Sequence, residues 1–257
     1  MNIIAIGAIA SLLAGLATAV GALPILFIKD VSPRWQGIFL GLGGGIMLAA
    51  TAFSLIVPGL DAAAQQGASE FNAAGLMVGS ILLGGALLWL IHNNFPHEHF
   101  HRGPEGRQSE KFAQIWLFVI AIALHNLPEG LAVGVGFGTG DLSQGIPLAL
   151  GIGIQNMPEG LVVALALRNL NYSIASALGI SLLTGVVEPV GGLLGAAAVS
   201  IAQPLLPWGL GFAAGAMLFV IVDEIIPEID SQGLDQEGTV GVMIGFVTMM
   251  FLDVVLG

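Results

Sequence analysis

Cysteine is absent from the 257 residues, which removes disulfides, thiolate metal sites and cysteine nucleophiles together. Charge is nearly as scarce. Asp, Glu, Lys and Arg make up 9% of the chain, where a soluble domain carries about a quarter. Only six residues are basic, and none of them falls inside an apolar run. The formal net charge of −11 argues against nucleic acid as a partner. What is present is apolar: hydrophobic residues make up 56% of the sequence, and 38 glycines accompany them. A single soluble core of this size cannot hide that much, so lipid must solvate most of the surface. The glycines fit membrane helices that approach closely through small residues.

Runs of about 20 apolar residues suit a hydrocarbon layer of ~30 Å at 1.5 Å rise per residue. Eight are read, at 3–28, 35–57, 73–92, 113–137, 144–167, 173–202, 206–227 and 238–256, with a long histidine-bearing connection at 93–112. The expected fold is an all-α integral membrane protein of eight transmembrane helices, one domain over 1–257. The first run lacks a basic n-region and is too long for a signal h-region, so it reads as a helix.

Lys29 and Arg34 fall between the first two spans, Arg102, Arg107 and Lys111 between the third and fourth, and Arg168 between the fifth and sixth. With eight spans these connections share one side. The positive-inside rule makes that side cytoplasmic and places both termini outside. One span more or fewer would break the parity. Asp235 and Glu237 put acid on the same side, which the rule tolerates because carboxylates contribute little to it. The outward connections carry Asp61, Glu70 and Asp141 without basic neighbours. They form either a face that draws cations toward an entrance or plain solvated loops.

Two internal repeats organise the chain. His125-Asn126-Leu127-Pro128-Glu129-Gly130-Leu131 recurs as Gln155-Asn156-Met157-Pro158-Glu159-Gly160-Leu161 in the next span, which runs the opposite way. A weaker pair joins spans two and seven. Ser54-Leu55-Ile56-Val57-Pro58 matches Asp223-Glu224-Ile225-Ile226-Pro227 at one offset, while Gly45 to Leu48 matches Gly215 to Leu218 only after a shift of one. Repeats of opposite topology around a midplane site are a signature of transporters.

At about 100° per residue, His125, Asn126 and Glu129 share one face of the fourth span, and Gln155, Asn156 and Glu159 repeat the arrangement on the fifth. The sixth adds Glu188, followed by Pro189. All lie about a dozen residues into their spans. A charge at that depth costs roughly 3 kcal/mol on insertion scales, and no basic residue in the spans can neutralise these three acids. Protonation alone leaves the imidazole and the amides unexplained, and helix-packing glue explains an asparagine better than three acids. Carboxylates, amide oxygens and one imidazole suit a borderline divalent ion, Zn²⁺ or a first-row neighbour. Seven candidates could hold two ions, with the glutamates bridging. Pro128, Pro158 and Pro189 each free a carbonyl, such as those of Leu124 and Ile154, that can face a wet cavity or the ion. In the connection, His97, His99 and His101 have the spacing of adaptable chelators for transient metal capture.

These duplicated P-E-G motifs resemble those of the ZIP (Zrt/Irt-like) divalent metal transporters, most closely the prokaryotic GufA-like branch, along essentially the whole chain. The resemblance implies a 3+2+3 arrangement in which one bundle moves against a scaffold. It implies a primary site of His125, Glu129, Gln155 and Glu159, and an adjoining one of Asn126, Asn156 and Glu188 with the glutamates bridging. Some relatives carry Asp where Asn156 stands, which implies weaker binding at the second site here. Where many relatives carry His-Glu near the cytoplasmic exit, this chain has Asp223-Glu224, implying an all-oxygen exit site or a metal-free pairing.

The expected activity is transport of Zn²⁺, with Fe²⁺, Mn²⁺ and Cd²⁺ as further substrates, into the cytoplasm across a bacterial cytoplasmic (inner) membrane. Export or channel-like flow through the same site is the alternative. An intramembrane metalloenzyme lacks both H-E-x-x-H and a nucleophile constellation, so no enzyme is expected. The glycine faces Gly41-Gly43-Gly44-Gly45 and Gly191-Gly192-Gly195 suit tight packing within one protomer or in a homodimer.

Overall fold

A computed structural model describes the backbone of residues 2–28, 32–94, 97–99, 103–105, 114–138, 140, 142–169, 172–201, 203–231 and 233–256. The chain opens with α1 (Ile3–Ala22), capped by the Asn2 side chain accepting from the Ile4 amide, and a 3-10 turn at Leu23–Leu26. Then come α2 (Pro33–Ala49), a π-helical stretch Ala50–Ile56, α3 (Val57–Gln65) and α4 (Glu70–Asn94). The central helices are α5 (Gln114–Phe137) and α6 (Leu142–Asn169). They are followed by α7 (Ile174–Gly185), α8 (Glu188–Ile201), α9 (Leu206–Val220), a second π-helical stretch Ile221–Ile225, α10 (Ile226–Ser231) and α11 (Asp235–Leu256).

Among the described residues, seven helical stretches are long and apolar enough to cross a membrane: Ile3–Leu26, Pro33–Gln65, Glu70–Asn94, Gly145–Leu165, Ile174–Ser200, Leu206–Asp230 and Asp235–Leu256. Large apolar side chains such as Phe71 and Val254 stand outward, 86% and 78% exposed, as lipid-facing positions should. The chain is an integral membrane protein whose membrane part is helical. One departure from the all-α expectation lies in the 93–112 connection. There β1 (His97–His99) pairs antiparallel with β2 (Gly103–Glu105), His97 opposite Glu105. This polar segment has no apolar face to bury in a helix bundle, so its backbone groups pair with each other.

Three helices depart from the expected outlines. The second span does not stop before Pro58 but continues to Gln65 as one apolar stretch. Proline in a regular helix clashes with the carbonyl four residues back; the widened π turns just before Pro58 and Pro227 make room for each ring. The one-residue slip between Gly45–Leu48 and Ser54–Pro58 falls where α2 passes into its π-helical stretch. The sixth span is broken at Val186–Val187, so Glu188 begins α8 rather than sitting mid-helix.

The most extensive helix contacts pair α2 with α11, α1 with α6, α5 with α8 and α4 with α9. Exchanging spans 1 with 6, 2 with 7, 3 with 8 and 4 with 5 maps this set of pairs onto itself. Gly41 meets Gly238 of α11 and Gly191 meets α5, so these glycine faces are used within the protomer.

Candidate metal centre

The duplicated motif sits inside α5 and α6, with Pro128 and Pro158 in the helix interior. Neither proline can donate to the carbonyl four residues earlier, Leu124 or Ile154. The glycine after each glutamate has a separate role. A Cβ at Gly130 would sit 2.0 Å from the Glu188 carbonyl oxygen, and one at Gly160 would sit 1.9 Å from that of Thr18. Only glycine lets α5 meet the start of α8, and α6 meet α1, at this depth. The close approach brings Glu188 beside the motif acids.

Asn126, Glu129, Gln155, Asn156 and Glu188 are all fully buried or within 1% of it. Consecutive residues of α6 reach in different directions. Gln155 Nε2 donates to Glu129 Oε1 on α5. Asn156 Nδ2 donates to Glu188 Oε1 on α8 at 2.6 Å and to the Ala14 carbonyl of α1 at 2.9 Å. The Glu188 carboxyl lies within electrostatic range of both Glu129 and Glu159. Two amide–acid pairs therefore stand side by side, with Glu159 next to them.

This network holds more acceptor atoms than donors. Asn126 Oδ1 and Nδ2, Gln155 Oε1, Asn156 Oδ1 and Glu188 Oε2 are buried without a hydrogen-bond partner among the described residues. An unsatisfied buried polar group costs about 1–3 kcal/mol. Four of these five atoms are oxygens, drawn from three helices, and each is an acceptor that a cation could satisfy. The acids are turned onto amides: among the described residues, no three His, Asp or Glu side chains converge as a closed metal shell. The His125 side chain, the seventh candidate, lies outside the described residues, although its backbone continues α5.

An open cleft reaches this cluster. Gln155 and Glu159 form its inner end, and it runs along Phe39, Leu40 and Gly43 of α2 and Val162 of α6. These residues lead toward the ends of the two helices that carry Arg34 and Arg168. Toward the opposite ends Ile152 and Leu55 are fully buried.

The remaining candidates lie elsewhere. Asp223, in the second π-helical stretch, pairs with His92 of α4, Nδ1 to Oδ2 at 3.0 Å. The Glu224 side chain is outside the described residues, as are those of His97 and His99 on β1 and all of His101. Sequence reasoning missed His92 as the partner of Asp223. It also missed Ser54 Oγ donating to Asp253 Oδ1 at 2.6 Å. The signal was present in the weaker repeat, where Ser54 and Asp223 occupy equivalent positions four residues before a proline.

Comparison with known sequences adds an independent line. The family model described as "ZIP Zinc transporter" matches residues 107–253. The chain is 49% identical to "Zinc transporter GufA" of Myxococcus xanthus over 251 residues, 98% of this chain and 99% of that protein. It is 45% identical to "Zinc transporter ZIPB" of Bordetella bronchiseptica over 94% of this chain and 78% of that one. "Zinc transporter ZIP11" of Homo sapiens is 50% identical over 150 residues, 56% of this chain and 44% of that protein.

Proposed function

The chain belongs to the ZIP zinc transporter family, and from that membership we propose that it moves Zn²⁺ toward the cytoplasm through the glutamate–amide cluster of α5, α6 and α8. Membership places it among transporters rather than enzymes. The observation that carries the site assignment is the set of four buried oxygens without donors, in spans that hold no basic residue. An entering ion displaces Gln155 Nε2 from Glu129 and Asn156 Nδ2 from Glu188. The amide oxygens then turn with the carboxylates toward the metal. His125, Glu129, Gln155 and Glu159 form one half of a binuclear centre, and Asn126, Asn156 and Glu188 the other, with the glutamates bridging.

In this reading α5, 24 residues long, is the fourth span and brings the number to eight, the arrangement is 3+2+3, and both termini face outward. The exchange-symmetric helix pairs support that arrangement. The basic connections then face the cytoplasm of a bacterium, and Arg34 stands 4.0 Å from Glu237 of α11 at that end. That contact gives the acidic seventh connection a local partner. The cleft leading to the Arg34 and Arg168 ends supports an inward-open state with release on that side. The protein works as a single transporting protomer or as a homodimer of such units. Asp223, paired with His92, and Glu224 offer the ion a polar stop on the cytoplasmic side beyond that cleft.

The test is uptake into proteoliposomes of known orientation. Zn²⁺ uptake is expected to exceed that of Fe²⁺, Mn²⁺ and Cd²⁺, with Mg²⁺ and Ca²⁺ near background, because a site with an imidazole and few waters disfavours hard ions. Preference for Mg²⁺ or Ca²⁺, or flux only toward the outward face, would overturn it. A second expectation concerns the histidine loop. Deleting residues 96–101 leaves more than half of the zinc uptake, because capture in the connection precedes or follows the step at the buried acids. Abolished uptake with a correctly folded variant would reverse that ranking.

A further inference from the structure

Four glycines crowd the middle of α2, and three have an evident packing reason. A Cβ at Gly41 or Gly45 would lie 2.1 Å from a carbonyl oxygen of α11, that of Gly238 or Val242. One at Gly44 would lie 2.9 Å from Ile225 Cγ2. Gly43 differs: nothing stands within 4 Å of an added Cβ. Packing gives no reason there for glycine, which weakens a helix relative to alanine. Gly43 lines the cleft that ends on Gln155 and Glu159.

The walls of that cleft explain why empty space is needed there. Apart from Gln155 and Glu159 at its inner end, the lining is apolar, with Phe39, Met47, Val162 and Ile225 among it. No wall group can replace the water around a divalent ion, so an ion that leaves the acids must gather its hydration shell within the cleft. The geometry points to Gly43 as the residue that keeps the exit wide enough for the ion and the water it gathers. This inference rests on the transport reading above and assigns a width-determining role to a residue with no donor atom of its own.

The absence of cysteine makes the test clean. Zinc uptake is measured for the wild type, for Gly43→Ala, Gly43→Val and Gly43→Phe, and for Gly75→Phe, whose added side chain also meets nothing within 4 Å but on the exposed face of α4. Equilibrium zinc binding is measured alongside by calorimetry. Uptake is expected to fall stepwise with side-chain volume, to below a tenth of wild type for Gly43→Phe, with zinc affinity within threefold of wild type and Gly75→Phe near wild type. Gly43→Cys supplies a second route that does not depend on folding around a bulky residue. A membrane-impermeant methanethiosulfonate reagent should remove most of that variant's own uptake when applied at the face of the basic connections, and none when applied opposite. Wild-type uptake in Gly43→Phe, or full thiol modification without loss of flux, overturns the role of Gly43. No zinc uptake by the wild type in either orientation overturns the transport reading itself.

Discussion

Glu129→Gln is expected to abolish zinc uptake while leaving the empty protein as stable as the wild type or more so. The substitution is close to isosteric, and a glutamine oxygen can still accept from Gln155 Nε2, the bond that Glu129 Oε1 accepts now. What disappears is a charge fully removed from water and facing a second acid, Glu188. At an effective dielectric constant of about 20, unit charges 4 Å apart interact by ~4 kcal/mol, and about 1.4 kcal/mol is tenfold in affinity. With a divalent partner and some of the gain offset by desolvation, zinc affinity should fall about 100-fold or more. Uptake should drop to the level of empty liposomes. In the metal-free state the same change removes a carboxyl from a buried pocket where ionisation is costly, so the melting temperature without zinc should hold or rise. The two readouts move in opposite directions, as expected where a site stores destabilising charge for its ligand. Uptake equal to wild type would remove Glu129 from the site; a lower melting temperature without zinc would make it a structural residue.

The cluster itself was legible because composition and periodicity speak directly to it. Acids among apolar residues stand out, and a repeat with fixed spacing places them on one helical face. Which side chain meets which was not legible. Gln155 finds Glu129 across 26 residues and Asn156 finds Glu188 across 32, and both partners depend on how closely α5, α6 and α8 approach. Gly130 carried that information in the sequence, but its meaning is visible only with the Glu188 carbonyl against it. The helix outlines agree with the apolar runs wherever a run ends in polar residues. They fail at prolines. Pro58 reads as a stop, yet the π-helical turns before it let the helix continue, and Pro189 marks a break that turns Glu188 into the first residue of α8. Hydrophobic periodicity does not distinguish an α turn from a π turn over five or seven residues. The His92–Asp223 and Ser54–Asp253 pairs were missed for a related reason: each joins helices far apart in sequence, 199 residues for the second.

Asn156→Asp reverses the sign of the first experiment. Asn156 holds the empty site together, donating from one nitrogen to Glu188 Oε1 and to the Ala14 carbonyl. An ionised aspartate can donate to neither. It leaves the carbonyl of α1 without its donor and sets two acids face to face at hydrogen-bond distance. Leaving a buried carbonyl without its donor costs about 1–3 kcal/mol and the facing acids add to it, so the metal-free protein should melt below the wild type. Zinc should restore the stability, because the added carboxylate becomes one more anionic ligand beside Asn126 and Glu188. The expected zinc affinity is about 10–100-fold tighter, on about 1.4 kcal/mol per decade, and the zinc-induced rise in melting temperature should be larger than in the wild type. Uptake at saturating zinc should slow, since an ion bound more tightly leaves more slowly. Unchanged affinity together with unchanged metal-free stability would mean that Asn156 faces no metal and that the cluster beside Glu188 is packing alone. A loss of affinity would mean that its amide nitrogen, rather than its oxygen, faces the occupied site.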